Sequence, residues 1–133
     1  MDARSEELVR DLIRFMQTGD VPEGLFAPDV FCDFTSPHWR VQSQGVEDVV
    51  RLRKQGHPAA GTVPRWRVDQ TPAGFVLEFE ERWLDGGQHW YCREMLRADV
   101  VAGAVADLSV YCTGDWDEAR QAEHCRAVTL LRP

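Results

Sequence analysis

Positive charge and long hydrophobic runs are both scarce in this sequence. Its 133 residues contain 15 Lys and Arg against 22 Asp and Glu, which gives a net charge of −7. A nucleic-acid-binding protein needs clustered basic side chains to contact phosphates, so the acidic balance argues against a nucleic-acid partner. No apolar stretch approaches the ~20 residues that span a bilayer, and the polar N-terminal residues MDARSEELVR lack the apolar core of a secretory signal. We therefore expect a cytoplasmic protein with no membrane partner.

Cysteine pairs of the CxxC type are also missing. The four cysteines are Cys32, Cys92, Cys112 and Cys125, and a cytoplasmic protein keeps such thiols reduced. His124 and Cys125 are adjacent in a predicted helix, so their side chains would diverge by about 100°, which does not suit shared zinc ligation. We expect four free thiols packed in the core, no metal and no cofactor.

Apolar residues at helical spacing predict three helices in the first half of the chain. The first is expected to begin at Ser5, where acidic residues follow in the first turn, and to end at Gly19. A short second helix is expected over residues 22–27, with proline in its first turn. A third is expected over residues 45–56.

Beyond Thr62 the apolar period changes to two, which indicates strands. Strands are expected from Val30 onward and over residues 64–70, 74–84, 89–98 and 105–113. A last helix is expected to follow, with Asp115 as its N-cap and Glu118 completing a capping box. This order predicts an α+β fold in a single domain, residues 1–133: a cone-shaped, curved antiparallel or mixed sheet wrapped on three N-terminal helices, with a short C-terminal helix. The mouth of such a cone is a place where small ligands bind.

The turn at Asp85-Gly86-Gly87 predicts which side chains face inward. If Gly86-Gly87 is a two-residue loop, the pairs Trp83–Trp90, Glu81–Cys92 and Phe79–Glu94 share one face, and Glu80–Arg93 and Arg82–Tyr91 share the other. The first face is apolar and aromatic, so it should be the concave one. A three-residue loop would reverse the assignment.

Glu81 and Glu94 are the unusual members of this face. A buried carboxylate is costly unless it is paired, neutral or wetted by a cavity, and burial would raise its pKa into a range suited to proton transfer. The alternative is that either glutamate lies at a strand end and reaches solvent.

The segment VFCDFTSPHW, residues 30–39, suggests the rim of the cavity. Alternation places Phe34 inward and Asp33 outward unless a bulge re-aims it, so Asp33 is either a surface residue or a catalytic one. His38 and Trp39 follow the break at Pro37, and His38 could act as an acid or base near neutral pH. By contrast, His57 and His89 are expected to be exposed loop residues.

Four stretches together resemble the layout of the nuclear transport factor 2-like superfamily, which includes ketosteroid isomerase and the SnoaL-like polyketide cyclases. They are the helix ending in Thr18-Gly19-Asp20, then LFAPDVFCDF, then GVEDVVRLR, and the four-strand meander ending in VYCTGDWDEAR. The resemblance covers nearly the whole chain and implies a cone-shaped fold, often dimeric through the outer sheet face. Members include isomerases, cyclases, hydrolases, dehydratases and non-catalytic proteins.

The resemblance to the isomerase can be followed position by position. The position of its general base falls on Phe34, one residue after Asp33, and that of its oxyanion-hole tyrosine falls on Leu12. The position of its protonated acid falls on Glu94, and in the isomerase an apolar site keeps that carboxylic acid neutral. The comparison therefore implies an acid in an aromatic pocket and argues against steroid isomerisation.

We expect a cofactor-independent cyclase, isomerase or hydratase that acts on an apolar, aromatic or polyketide-like small molecule, and that forms a homodimer. The expected catalytic residues are Glu94, Glu81, Asp33 and His38. The expected substrate-binding residues are Trp39, Trp66, Phe79, Trp83, Trp90, Phe34 and Phe15. The alternatives are a non-catalytic hydrophobic-ligand-binding or dimeric accessory protein, and a purely structural dimerisation domain whose cavity is filled by its own tryptophans.

Overall fold

A computed structural model describes residues 1–133 as three helices and six strands. The helices are α1 (Ala3–Thr18), α2 (Val46–Gly56) and α3 (Glu118–Ala127). The strands are β1 (Phe26–Thr35), β2 (Arg40–Gln44), β3 (Gly61–Gln70), β4 (Gly74–Asp85), β5 (Gln88–Val101) and β6 (Ala104–Cys112). The predicted α+β class with a mixed, curved sheet and a C-terminal helix is confirmed. No helix is long and apolar enough to cross a membrane.

All six strands belong to one sheet in the order β2-β1-β6-β5-β4-β3. β1 and β6 run parallel, and every other neighbouring pair is antiparallel. The long strands β4 and β5 pair along their whole length, which makes them the centre of the meander. Irregularities interrupt the register between β1 and β6, between β3 and β4 and between β5 and β6, and such bulges bend a sheet.

The register of the β4–β5 hairpin confirms the predicted facing of its side chains. Trp83 pairs with Trp90, and Glu81 pairs with Cys92. The loop residues Gly86 and Gly87 have φ angles of 60° and 76°, which a two-residue type I′ turn requires and which glycine adopts without strain. The two-residue loop therefore places both glutamates on the concave face.

The core lies between this concave face and the helices. α1 buries Leu8, Val9, Leu12 and Phe15 and packs on β3 and β4, while α2 packs on β1 and β2. Phe15 meets the ring of Phe26 edge-on at 5.2 Å between centroids. The outer face carries the predicted charged partners, with Arg93 3.8 Å from Glu80.

Four local predictions were wrong. Residues 22–27 form a turn leading into β1 and not a helix. Phe26 pairs with Val105 of β6 and so belongs to the sheet, and six residues are too few for a helix without tertiary support. α1 begins earlier than Ser5, whose backbone N–H is capped by the side chain of Asp2.

The other two errors concern the C-terminal helix and the thiols. The N-cap of α3 is Asp117, which accepts from the backbone N–H of Arg120, and not Asp115. Cys32 and Cys92 are buried as expected, but Cys125 is exposed on α3 and Cys112 is only partly buried. The strand β2, which pairs with β1, was not predicted.

Candidate functional site

A cavity of about 690 Å³ opens between the concave face of the sheet, the C-terminal half of α2 and the segment that joins β6 to α3. Its apolar wall comes from α1, β1, α2 and β6, with residues such as Phe15, Phe34, Leu52 and Val110. His38 and the largely exposed Trp39 lie at its rim. The volume is within the range of pockets that hold small organic ligands, roughly 300–1,000 Å³.

Two carboxyl groups lie deep in this cavity. Glu81 on β4 and Glu94 on β5 are diagonal neighbours, because Glu81 is directly opposite Cys92 and Glu94 is directly opposite Phe79. Only 3% of Glu81 and 8% of Glu94 are exposed. Each carboxyl group is close enough to shift the pKa of the other.

His57 is the residue that sequence reasoning missed. The prediction of an exposed loop residue is wrong: its side chain is only 12% exposed, and its Nε2 lies 3.3 Å from Oε2 of Glu81. The imidazole stacks on the indole of Trp83 with 4.6 Å between ring centroids. Nothing in the local pattern Gly56-His57-Pro58 separates this arrangement from an ordinary helix end, since the partner of His57 is 24 positions further along the chain.

Arg53 fixes the end of α2 above the carboxyl groups. It is buried, and its guanidinium donates from Nε and Nη2 to the carbonyl oxygen of Met16 at 3.1 and 2.7 Å. Its Nη1 donates to the carbonyl oxygen of His57. One side chain therefore ties α1 to the last turn of α2 and holds His57 over the sheet.

The surroundings drive the pKa values of the two glutamates apart. Burial raises the pKa of Glu94 well above its usual value, and the neighbouring Glu81 carboxylate raises it further. Burial also acts to raise the pKa of Glu81, but the hydrogen bond from His57, the contact with Glu94 and the positive charge of Arg53 outweigh it and lower that pKa. These opposite shifts favour a pair that shares one proton, held by Glu94, with the negative charge on Glu81.

Three buried polar atoms belonging to cavity-lining residues have no hydrogen-bond partner in the chain. They are Oε2 of Glu94, Nδ1 of His57 and Nε1 of Trp116. Buried polar groups in folded proteins are nearly always paired. An oxygen-bearing ligand in the cavity would provide such partners.

The structure places some of the predicted site residues around the cavity and others away from it. Glu81, Glu94, Phe15, Phe34, His38 and Trp39 line it. Phe79 is in the core, Trp83 lies under His57, and Trp90 stacks behind Trp83 at 6.4 Å between ring centroids. Trp66 is 46% exposed on the edge strand β3, outside the cavity lining.

Asp33 also lies outside the cavity lining. It points to the outer face of β1, where Arg40 donates to both of its carboxylate oxygens at 3.0 and 2.7 Å. Strict alternation along the strand favours this outward orientation, and the structure confirms it. The position that resembles the isomerase tyrosine, Leu12, is fully buried in the core.

Two thiols and a carboxyl group also meet near the cavity floor. Cys92 Sγ, Cys112 Sγ and a carboxylate oxygen of Glu94 lie within 4.8 Å of one another. Zinc sites use such side chains, with cysteine as the thiolate. Here the neighbouring Cys112 and burial raise the pKa of Cys92, which favours a thiol whose S–H donates to Glu81 at 3.8 Å.

Comparison with protein-family models and with curated proteins finds no match. Among solved structures, a protein of Anabaena variabilis described as NTF2-like superposes with a TM-score of 0.70 at 15% identity, covering 84% of this chain and 88% of that one. A protein of Pseudomonas putida provisionally described as a polyketide cyclase gives 0.63 at 18% identity, covering 90% and 96%. One of Bacillus subtilis provisionally described as an isomerase gives 0.66 at 12% identity, covering 85% and 90%.

The chain has the nuclear transport factor 2-like fold. The cavity of this chain is bounded by the concave sheet face, the helices and the segment that joins β6 to α3. At these identities the likeness establishes the fold alone, so the chemistry must be argued from the residues of this chain. Those residues are the carboxyl pair, His57 and Arg53.

Proposed function

We propose that this nuclear transport factor 2-like protein is an acid–base enzyme, of the isomerase, cyclase or hydratase kind, that acts on an apolar small molecule carrying a carbonyl or hydroxyl group. The observation that supports this most strongly is the buried Glu81–Glu94 pair, in which the surroundings shift the pKa values of two neighbouring carboxyl groups in opposite directions. Two titratable groups with pKa values pushed apart are the usual arrangement for an acid and a base in one site.

The two glutamates take different roles in this proposal. Glu94, as the neutral acid, donates a hydrogen bond or a proton to an oxygen of the ligand through the carboxyl whose Oε2 has no partner in the chain. Glu81, as the carboxylate, accepts a proton. His57 holds Glu81 in place through the 3.3 Å contact and is thus a positioning residue.

The walls of the cavity favour a flat, largely apolar ligand. Phe15, Phe34 and Trp116 line it together with several aliphatic residues. The two arginines of the lining, Arg53 and Arg120, are matched in number by Glu81 and Asp115, and Glu94 is neutral, so the lining has no excess of these charges for an ionic ligand to balance. A neutral ketone therefore suits the cavity better than a carboxylate or an amine.

The test is hydrogen exchange into such ketones. The full chain is incubated in D₂O with 2-tetralone and 1-indanone, and deuterium incorporated next to the carbonyl is measured by mass spectrometry against buffer alone. Ligand binding is followed separately by quenching of tryptophan fluorescence. We expect protein-dependent exchange that Glu81→Gln reduces by at least ~10²-fold, since general-base catalysis contributes about that much.

The matched control is Glu78→Gln, which changes a carboxylate on the same strand but on the solvent face, where it pairs with Arg93 at 3.2 Å. Its exchange rate should equal that of the wild type. Ketones that bind without exchanging would contradict catalysis and support the alternative of a non-catalytic ligand-binding protein. Failure of every ketone to bind would show that the proposed ligand class is wrong.

A homodimer through the outer sheet face is also part of the proposal. Met95 and Tyr111 pair directly across β5 and β6 on that face, and both are exposed, at 46% and 62%. Light scattering coupled to size exclusion should give twice the chain mass of 15.2 kDa, and Tyr111→Glu should shift the protein to the monomer.

A further inference from the structure

Two of the four thiols lie together beside the carboxyl pair. Cys92 on β5 and Cys112 at the end of β6 project from the concave face, and their sulfur atoms are within 4.8 Å of each other. Glu94 pairs directly with Cys112 in the β5–β6 register, so Cys92 is its diagonal neighbour. The other two cysteines are not part of this cluster: Cys32 on β1 also lines the cavity but is 4% exposed, and Cys125 is exposed on α3.

The surroundings give the two sulfurs different properties. Cys112 lines the cavity, so a small molecule that enters the cavity reaches it, and its Sγ accepts a hydrogen bond from the backbone N–H of Gly114 at 3.3 Å. The neighbouring Cys92 and the hydrogen bond from that N–H lower the pKa of Cys112, and a lower pKa favours the thiolate, which is the nucleophile. Cys92 lies deeper, and its S–H donates to Oε2 of Glu81 at 3.8 Å.

We propose that Cys92 and Cys112 form a peroxide-sensitive dithiol, in which Cys112 is oxidised first and Cys92 resolves it to a disulfide in the cavity. Three features of the geometry support this proposal. The two sulfurs lie within 4.8 Å of each other, Cys112 lines the cavity, and Glu81 accepts from the Cys92 S–H at 3.8 Å. A hydroperoxide small enough to enter the cavity is the oxidant.

The chemistry balances as two thiols and one peroxide giving one disulfide and two waters. In the first step the Cys112 thiolate attacks an oxygen of hydrogen peroxide, an S–O bond forms, the O–O bond breaks, and the departing hydroxide takes up the proton that Cys112 released. In the second step Glu81 takes the Cys92 proton and the Cys92 sulfur attacks the sulfenic acid. The S–S bond forms, and the hydroxide that leaves becomes water with the proton from Glu81.

Oxidation changes the cavity floor where the carboxyl pair is held. The disulfide removes the S–H that Cys92 donates to Glu81 and draws the Cys112 sulfur towards β5. Inhibition of proton exchange by oxidation rests on the proposed function, whereas formation of the disulfide does not.

The test counts thiols, so it is independent of any turnover. The full chain is treated with hydrogen peroxide, alkylated with N-ethylmaleimide, and analysed as intact protein and as peptides. We expect two of the four free thiols to be lost, with a linked pair of peptides containing Cys92 and Cys112, and full recovery with dithiothreitol. In Cys92→Ser the sulfenic acid should persist on Cys112 and be captured by dimedone.

Cys125→Ser is the matched control, because it removes an exposed thiol outside the cavity lining, and it should form the same disulfide at the same rate. Phenylarsine oxide, which bridges two neighbouring thiols, should protect two thiols of the wild type from alkylation, and this measurement needs no variant that could fail to fold. Four intact thiols after peroxide, a disulfide joining other cysteines, or only linkage between chains would each overturn the proposal.

Discussion

The protonation of Glu94 can be tested through stability, because a neutral buried carboxyl makes folding depend on pH. Glutamine has nearly the shape of the neutral acid and keeps a donor towards Glu81, so Glu94→Gln should fold normally. The burial that raises the pKa of Glu94 opposes its ionisation in the folded protein. In the unfolded chain Glu94 ionises near the usual value of 4.5.

The sign and size of the effect follow from this difference. A group whose folded pKa is raised stabilises the fold fully below its unfolded pKa and loses that contribution as the pH rises through the folded pKa. Above pH 4.5 the free energy of unfolding of the wild type should therefore fall by about 1.4 kcal/mol per pH unit relative to that of Glu94→Gln. This fall should continue until Glu94 ionises in the folded protein. Between pH 5 and pH 6 the free energy of unfolding of the variant should rise by roughly that amount relative to the wild type.

Glu81→Gln provides a comparison with the opposite sign. The pKa of Glu81 is lowered, so its contribution to stability is present above its unfolded pKa and is lost as the pH falls through the folded value. The loss in free energy of unfolding caused by Glu81→Gln should be constant above pH 4.5 and should become smaller only in more acidic solution. The two neighbouring carboxyl groups therefore act in different pH windows.

The assay is urea unfolding followed by tryptophan fluorescence at pH 5, 6 and 7. Glu78→Gln serves as the control, and its difference from the wild type should stay within about 1 kcal/mol, because its pair with Arg93 is exposed. Unfolding curves of Glu94→Gln and wild type that stay parallel across this range would show that Glu94 is ionised in the fold. The assignment of acid and base would then be wrong.

Three further outcomes follow from single contacts. His57→Ala should destabilise the fold by about 1–3 kcal/mol in urea unfolding, since it leaves Glu81 without its donor and removes the stacked ring, and it should slow ketone exchange. Gly74→Ala should destabilise by more than ~1 kcal/mol in the same assay, because an added Cβ would overlap the backbone of the paired strand β5, whereas Gly56→Ala meets nothing within 4 Å and should be neutral or stabilising. Asp33→Asn should leave both the exchange rate and the urea midpoint nearly unchanged, because its ion pair lies on the outer face.

The parts of the site that could be predicted are those fixed by local rules. A two-residue Gly86-Gly87 loop sets the parity of the whole hairpin, and that parity alone brings Glu81 and Glu94 to one face. Alternation along β1 likewise predicts the outward orientation of Asp33. These inferences succeed because the period of a strand and the geometry of a tight turn depend on few residues.

The parts that could not be predicted depend on contacts between distant segments. Phe26 becomes a strand residue only because β6 pairs with it 79 positions later. His57 is buried against Glu81 and Trp83, at an end of α2 that Arg53 ties to the carbonyl oxygen of Met16 on α1. No window of sequence around His57 contains that information. The prediction of a surface histidine follows from the usual exposure of residues at the end of a helix. Here long-range contacts bury the side chain instead.

The charges around the cavity connect its stability to its proposed chemistry. With Arg53 positive, Glu81 negative and Glu94 neutral, the group is balanced before a ligand binds, which reduces the cost of burying it. If Glu81 accepts a proton from a neutral ketone, both glutamates become neutral, the ligand becomes an enolate and Arg53 supplies the compensating positive charge. The total charge of the enclosed site is unchanged, so the reaction moves a charge over a short distance and does not create one in a medium of low polarity. Replacing Arg53 by Met should therefore reduce the exchange rate more than it reduces binding of the neutral ketone, and equal losses of both would contradict this account.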